Sequence, residues 1–302
     1  MVLPEDPSAD SLRRFVFDSL PMRGYWLDLG PAWRELKAHQ HHPAAVERLL
    51  GETLAASVLL AGTLKFDGLL TLQIEGSANI ALLVAQCTHD YRMRAMVRVA
   101  DVAGEGTNFT SLVGEGTLAV TIDTTAIEGG RYQGIVPLDG KSLAESLEHY
   151  FASSEQLPTR VLLAADANRC GGLILQRMPA DSGRNAENHD GEWRLAGERF
   201  SRLARGQLLD GDGESLLRAL AGSEAIRLFS PQPVRFRCRC DGDRVASLLQ
   251  GLGREEVEDI LREQGSVSVT CEFCQRPYRF DAGDVEQLFA GDHPPSGSRA
   301  LN

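Results

Sequence analysis

Phe236-Arg237-Cys238-Arg239-Cys240 and, thirty residues after it, Cys271-Glu272-Phe273-Cys274 are the stretches on which the reading of this 302-residue chain turns. Two close pairs of cysteines, brought together by a folded segment between them, supply four soft donors, and zinc favours four tetrahedral ligands of that kind. Val257, Ile260 and Leu261 in the intervening segment have helical spacing, and Ser266-Val267-Ser268-Val269-Thr270 alternates like a strand leading into the second pair. The expected ligand set is Cys238, Cys240, Cys271 and Cys274, holding one Zn(2+).

The plain reading of such a cluster is an inert staple, because a unit of about sixty residues has a small core and often needs a metal. Two features favour reactivity. The first pair is C-x-C rather than C-x-x-C, and Arg235, Arg237, Arg239, Arg276 and Arg279 crowd the ligands. Cationic neighbours favour thiolates after a metal leaves.

Working outward, residues 231–290 are expected to form a unit of their own, with eight arginines against eleven acidic side chains. Residues 291–302 contain Pro294-Pro295-Ser296-Gly297-Ser298 and read as a loose tail. Before the cysteine unit, residues 180–230 form a distinct linker region. Asp181 to Gly191 is almost free of apolar side chains and reads as a loop. Trp193 to Leu209 and Glu214 to Phe229 are weakly amphipathic stretches separated by Asp210-Gly211-Asp212-Gly213. Such helices are marginal alone and need a surface to lie on.

Residues 1–179 read as an N-terminal domain of mixed helices and strands. A helix with one buried face is predicted from Pro43 to Leu64, after a first helix ending near His39. Strands are predicted at Leu69 to Ile74, Ile80 to Gln86, Met93 to Val99, Thr117 to Ile122, Tyr132 to Pro137, Val161 to Ala165 and Gly172 to Gln176. Gly104-Glu105-Gly106 punctuates them. Ser142-Leu143-Ala144-Glu145 is a capping box opening a helix to about Ser154. Helices and strands do not alternate regularly, so the expected fold class is α+β.

Composition narrows the partners. The formal net charge of -11 repels phosphate backbones, so no nucleic acid is expected. The longest apolar run, Leu54 to Leu64, is far short of the ~20 residues of a membrane span. Met1 to Asp10 lacks the basic and apolar regions of a secretory signal, which makes a cytoplasmic location the expectation for a bacterial source. Gly134 to Ser142 ends in Gly-Lys-Ser, but has five residues between its glycines where a phosphate loop has four. Cys87 and Cys170 stand alone on apolar stretches and read as packing residues. His39, His41 and His42 read as helix-end polar residues, with a second metal site as the alternative.

The chain resembles the heat-shock protein 33 family of redox-regulated bacterial chaperones. The cysteine stretches above and Glu255-Glu256-Val257 carry the resemblance. So do Leu50-Gly51-Glu52, Leu64-Lys65-Phe66, Leu72-Gln73-Ile74-Glu75-Gly76, Tyr132-Gln133-Gly134-Ile135-Val136, Gly171-Gly172-Leu173 and Gln176-Arg177-Met178-Pro179. These span nearly the whole chain in the family's order. Gln275 departs from the Gly or Asn the family often has after the last ligand, which implies a slightly strained turn.

The resemblance implies an ATP-independent holdase, not an enzyme. It is zinc-bound and quiet when reduced, and it is switched on by disulfides Cys238–Cys240 and Cys271–Cys274 with loss of zinc. Its partners are unfolding client proteins, and it is a homodimer when active. Two other functions fit parts of the pattern: a zinc-ribbon nucleic-acid module and a C-x-x-C thiol oxidoreductase using Cys271 and Cys274. Redox C-x-x-C motifs normally open a helix, whereas Arg276-Pro277-Tyr278-Arg279-Phe280 looks extended.

Overall fold

The computed structural model describes residues 10–100, 107–124, 130–179 and 186–290. The chain divides into two compact units, the first ending at Arg237 and the second beginning at Cys238. The fold is α+β, with mixed helices and strands in both units.

The first unit opens with a hairpin, β1 (Ser11–Phe17) and β2 (Met22–Leu29), followed by α1 (Pro31–Ala38) and the long α2 (Ala44–Thr63). Then come β3 (Gly68–Glu75), β4 (Ile80–Thr88), β5 (Arg92–Val99), α3 (Phe109–Val113), β6 (Thr117–Thr124) and β7 (Arg131–Pro137). After α4 (Leu143–Ser153), strands β8 (Thr159–Ala165) and β9 (Cys170–Arg177) return to the first hairpin. Next are α5 (Ala186–Ser201), α6 (Arg205–Leu209), α7 (Gly213–Ala221) and three short strands: β10 (Ile226–Leu228), β11 (Gln232–Pro233) and β12 (Arg235–Phe236).

Two six-stranded sheets result. One runs β10-β1-β2-β9-β8, with β11 also on β1, and the other runs β12-β5-β4-β3-β6-β7. Helix α2 lies between them and touches strands of both. Every residue from Leu49 to Ala61 is buried, so the expectation of one buried face is corrected: with a sheet on either side no face is left for water. Gly51, Ala55, Ala56 and Ser57 let the sheets approach; a methyl on Gly51 would stand 2.6 Å from the Ala165 Cβ.

The first sheet is covered on both faces. Tyr25, Leu27, Leu29 and Ile174 join the α2 core, while Phe15, Phe17, Met22, Trp26, Leu173 and Leu175 form a second core with α5–α7. From the helices come Ala196, Phe200, Leu203, Leu208, Leu216, Leu217, Leu220 and Ala221.

The predicted strands from Leu69 to Gln176 form, and Ser142 caps α4 by accepting the Glu145 N–H at 3.2 Å. The Glu145 carboxylate accepts from Lys141 N–H at 2.7 Å, so this Gly-Lys-Ser is a helix start. Three expectations change. The loop expected to run to Gly191 gives way to helix at Ala186. The second amphipathic stretch is helical only to Ala221, where Gly222 turns the chain at φ 65°; Ile226–Leu228 then pairs with β1. Residues 232–236, expected at the head of the cysteine unit, pair instead with β1 and β5 of the first unit. The loop residues 181–185, the Gly104-Glu105-Gly106 stretch and the tail over 291–302 lie outside the described residues.

The second unit contains α8 (Gly242–Leu252), α9 (Arg254–Gln264), the hairpin β13 (Val267–Thr270) and β14 (Pro277–Phe280), and α10 (Ala282–Ala290). Its core is small: Ala246, Leu249, Val257, Val267, Tyr278, Phe280, Val285 and Leu288, with Cys240 and Cys271 packed against it. No helix among the described residues is long and apolar enough to cross a membrane.

Candidate metal centre

Each half of the cysteine cluster is held by local backbone chemistry. Cys238 and Cys240 lie on the extended lead-in to α8. The Asp241 carboxylate caps that helix by accepting the Arg244 N–H at 2.8 Å. Arg244 turns back and donates to the Arg239 carbonyl at 2.9 Å, pinning the residue between the two cysteines. The second pair occupies the turn of the β13–β14 hairpin, where Cys271 N–H reaches the Arg276 carbonyl at 3.0 Å and Gln275 N–H reaches the Cys271 carbonyl at 2.8 Å. Gln275 sits at φ 53°, a conformation that glycine or asparagine adopts more readily, so the turn is strained where the sequence implied.

These elements bring all four Sγ atoms within 4.8 Å of one another. Cys238 Sγ lies 3.6 Å from Cys271 Sγ, and Cys240 Sγ lies 3.4 Å from Cys274 Sγ. A disulfide needs about 2 Å, so the sulfurs are free thiols. A tetrahedron with metal–sulfur bonds of about 2.3 Å has sulfur–sulfur edges of about 3.8 Å. The observed separations match those edges, and the donors are the soft thiolates zinc prefers. The four cysteines could therefore hold a metal ion.

The thiols are not equivalent. Burial opposes ionisation of Cys238, but the Cys240 backbone N–H and the thiols of Cys240, Cys274 and Cys271 donate to its sulfur, holding its pKa at about 7. Burial and the neighbouring Cys238 thiolate push Cys271 and Cys274 up. Cys238 thus carries its charge readily, whereas Cys271 and Cys274 resist ionising until a cation shares the cavity. Of the arginines expected to crowd the ligands, Arg276 lies over the Tyr278 ring at 5.6 Å and Arg279 donates to Ser266 Oγ at 3.0 Å. The backbone N–H groups of Arg235 and Arg237 belong to the first unit's ladder, on Tyr91 and Met93. Strand β14, not a helix, follows Cys274.

The other sequence candidates fall elsewhere. Cys87 and Cys170 are fully buried and their thiols are pushed up, mainly by burial. His39 caps the end of α1 and stacks on Phe236 at 5.7 Å, and His42 is held below its usual range by burial. Among the described residues, only the four cysteines gather as a potential metal site. Sequence reasoning missed the Asp241–Arg244 cap, although Asp at a helix start was a usable signal. It also missed the apolar sheet face of Phe15, Phe17, Met22 and Trp26.

Fold and site together define a class: an α+β core whose sheet is overlaid by helices, with a small cysteine-rich unit able to hold a metal ion. The family model for Hsp33 protein matches residues 10–281. A 33 kDa chaperonin of Pseudomonas paraeruginosa is 44% identical over 295 residues, covering 96% of this chain and 99% of that one. That of Azotobacter vinelandii is 46% identical over 294 residues, covering 96% and 98%. The crystal structure of the 33 kDa chaperonin from Thermotoga maritima has the same fold, with a TM-score of 0.76 at 22% identity, over 92% of this chain and 97% of that one. The chain belongs to the Hsp33 family, and with it goes a chaperone function.

Proposed function

We propose that this protein is a redox-regulated, ATP-independent holdase that keeps unfolding proteins from aggregating under oxidative stress, in the cytoplasm. The observation that carries the reading is the convergence of four thiols on the small core of a separate unit. Cys238, Cys240, Cys271 and Cys274 would hold one zinc ion. When bound, zinc neutralises thiolate charge and staples the unit, and sites of this kind contribute ~10–16 kcal/mol of apparent binding free energy. A whole domain's stability is about 5–15 kcal/mol, so spending these donors unfolds the unit.

The chemistry starts at a thiolate. One sulfur attacks peroxide and becomes a sulfenic acid, with the other oxygen leaving as water. A neighbouring thiol then displaces the second water and closes a disulfide. Two such events, Cys238 with Cys240 and Cys271 with Cys274, consume two peroxides and leave no thiolate donor. Helices α5–α7 act as the linker. Their release uncovers Phe15, Phe17, Met22, Trp26, Leu173 and Leu175, each worth ~1.5–3 kcal/mol when buried again by an aromatic or aliphatic partner. Unfolding clients supply such partners, and the uncovered face also suits a homodimer in the active state.

Light scattering from a heat-unfolded client tests this with reduced, oxidised and re-reduced protein. Suppression is expected from the oxidised form alone, without nucleotide, fading once reductant and zinc return. Equal protection by the reduced, zinc-loaded form overturns the switch.

A further inference from the structure

Within the apolar contact that seats the linker helices on the sheet, one point is set by shape. Gly213, the first residue of α7, lies flat on the Trp26 indole: a Cβ there would stand 1.9, 2.0 and 2.2 Å from ring atoms. Real Cβ atoms do not approach that closely, so only glycine fits. The ring has no easy retreat. Trp26 sits on β2 between Arg13 of β1 and Leu173 of β9. It is 7% exposed, and the Arg13 guanidinium lies 5.7 Å from its centroid.

The flanking contacts fix the approach. Asp212 caps α7 by accepting the Ser215 N–H at 3.0 Å. Gly211, at φ 78°, rests against Arg169, which pairs with Asp28. At the far end of α7, Arg199 of α5 donates to the Ala221 carbonyl at 2.7 Å. The indole Nε1–H is buried with no hydrogen-bond partner. It gains water when α7 lifts, offsetting part of the packing lost and keeping the seat marginal.

We propose that Gly213 seated on Trp26 is the latch of the linker, the contact that sets the threshold at which α5–α7 leave the sheet. The inference deepens the holdase reading and rests on it for its consequence, but its geometry stands alone. It also fixes a sign. At an open helix position, glycine to alanine favours the helix. At Gly213 the added methyl meets the ring, and overpacking wins.

The experiment is hydrogen exchange on the full reduced, zinc-loaded chain, comparing Gly213→Ala with Gly206→Ala in α6, where a Cβ would meet nothing within 4 Å. Gly213→Ala is expected to speed exchange across α7 by about 5- to 150-fold, leaving α2 unchanged. Gly206→Ala should leave exchange equal or slower. A Trp26→Leu background makes room for the methyl, so there Gly213→Ala should be neutral or protective. That comparison still reads the contact if Gly213→Ala alone fails to fold. Unchanged or slower exchange in Gly213→Ala, or the same acceleration in the Trp26→Leu background, overturns the latch. The holdase reading is scored separately. If Gly213→Ala opens α7 but the reduced variant gains no suppression of client aggregation, that reading fails while the latch stands.

Discussion

Which sulfurs pair on oxidation decides whether the cluster switches or stays a staple. Two close approaches run across the two halves, Cys238 to Cys271 at 3.6 Å and Cys240 to Cys274 at 3.4 Å. A bridge between Cys238 and Cys271 closes a loop over a sequence separation of 33. Chain entropy makes such a bridge worth roughly 4 kcal/mol to the folded unit, whereas bridges within Cys238–Cys240 or Cys271–Cys274 are worth roughly 1–2 kcal/mol. Cross-pair oxidation would therefore exchange a metal staple for a covalent one and leave the unit folded. Only pairing within each half removes the long-range constraint.

The expected outcome is that peroxide at a mildly unfolding temperature, followed by alkylation and peptide mapping, finds Cys238–Cys240 and Cys271–Cys274. The decisive variant is Cys240→Ser with Cys274→Ser, which keeps only the 3.6 Å cross pair. It lacks the full donor set, so its hairpin β13–β14 starts poorly protected. Oxidation should then raise hydrogen-exchange protection of that hairpin, the reverse of wild type, and should give no client protection. Cross-pair bridges dominating in active wild-type protein, or loss of hairpin protection when the variant is oxidised, would falsify the reasoning.

Zinc analysis of the reduced protein should find one ion per chain, and Cys271→Ser should lower its affinity severely because an uncharged hydroxyl is a poor donor; full occupancy in that variant removes the ligand assignment. Hydrogen exchange should find Trp193 to Phe229 less protected than Val46 to Leu64, and equal protection argues against a loosening linker. Gln275→Gly should stabilise the reduced second unit by about 1 kcal/mol, read from its denaturation midpoint, because φ 53° costs glutamine and not glycine; no gain would locate the strain elsewhere. Glu52, 6% exposed and 3.3 Å from Arg205, has its carboxyl raised above its ordinary 4.5 mainly by burial, with Arg205 and Arg48 pulling it back. The folded state therefore holds that proton more tightly than the unfolded chain, and this group's stability contribution falls as pH rises from about 4.5 through the folded pKa. The melting temperature of wild type relative to Glu52→Gln should fall across that interval, and the opposite slope refutes the assignment.

The sequence signals worked where structure is set by short-range chemistry. Ser142 caps α4 because its hydroxyl reaches the Glu145 N–H three residues on, and strands from Leu69 onward alternate because one edge or face meets solvent. The cysteine cluster was legible for a related reason. Thiols are few, and their spacing on a hairpin turn and a helix lead-in already restricts which atoms can meet. The C-x-C spacing, unusual for a knuckle turn, belongs here to an extended lead-in that the Asp241 cap terminates.

The first hairpin and the linker seat were not legible, for a physical reason. The β1-β2-β9 sheet is buried by α2 on one face and by α5–α7 on the other, so β2 is buried almost without a break and shows no polar–apolar period. In β1 the apolar residues serve opposite cores, Leu12 toward α2 and Phe15 and Phe17 toward the linker helices. Gly213 reads in sequence as one more glycine in Asp210-Gly211-Asp212-Gly213, a spacer between two weak helices. Its packing role depends on Trp26, 187 positions earlier. The apolar residues that meet the sheet here, Ala196, Phe200, Leu203, Leu208, Leu216, Leu217, Leu220 and Ala221, are divided among three helices and the turn after α5, so each element is weak alone and is seated only as part of the set. The fitted Gly213, the Asp212 cap and the Arg199 clasp fix where that shared apolar face seats, and they were hard to read because each joins residues whose meeting depends on the finished fold.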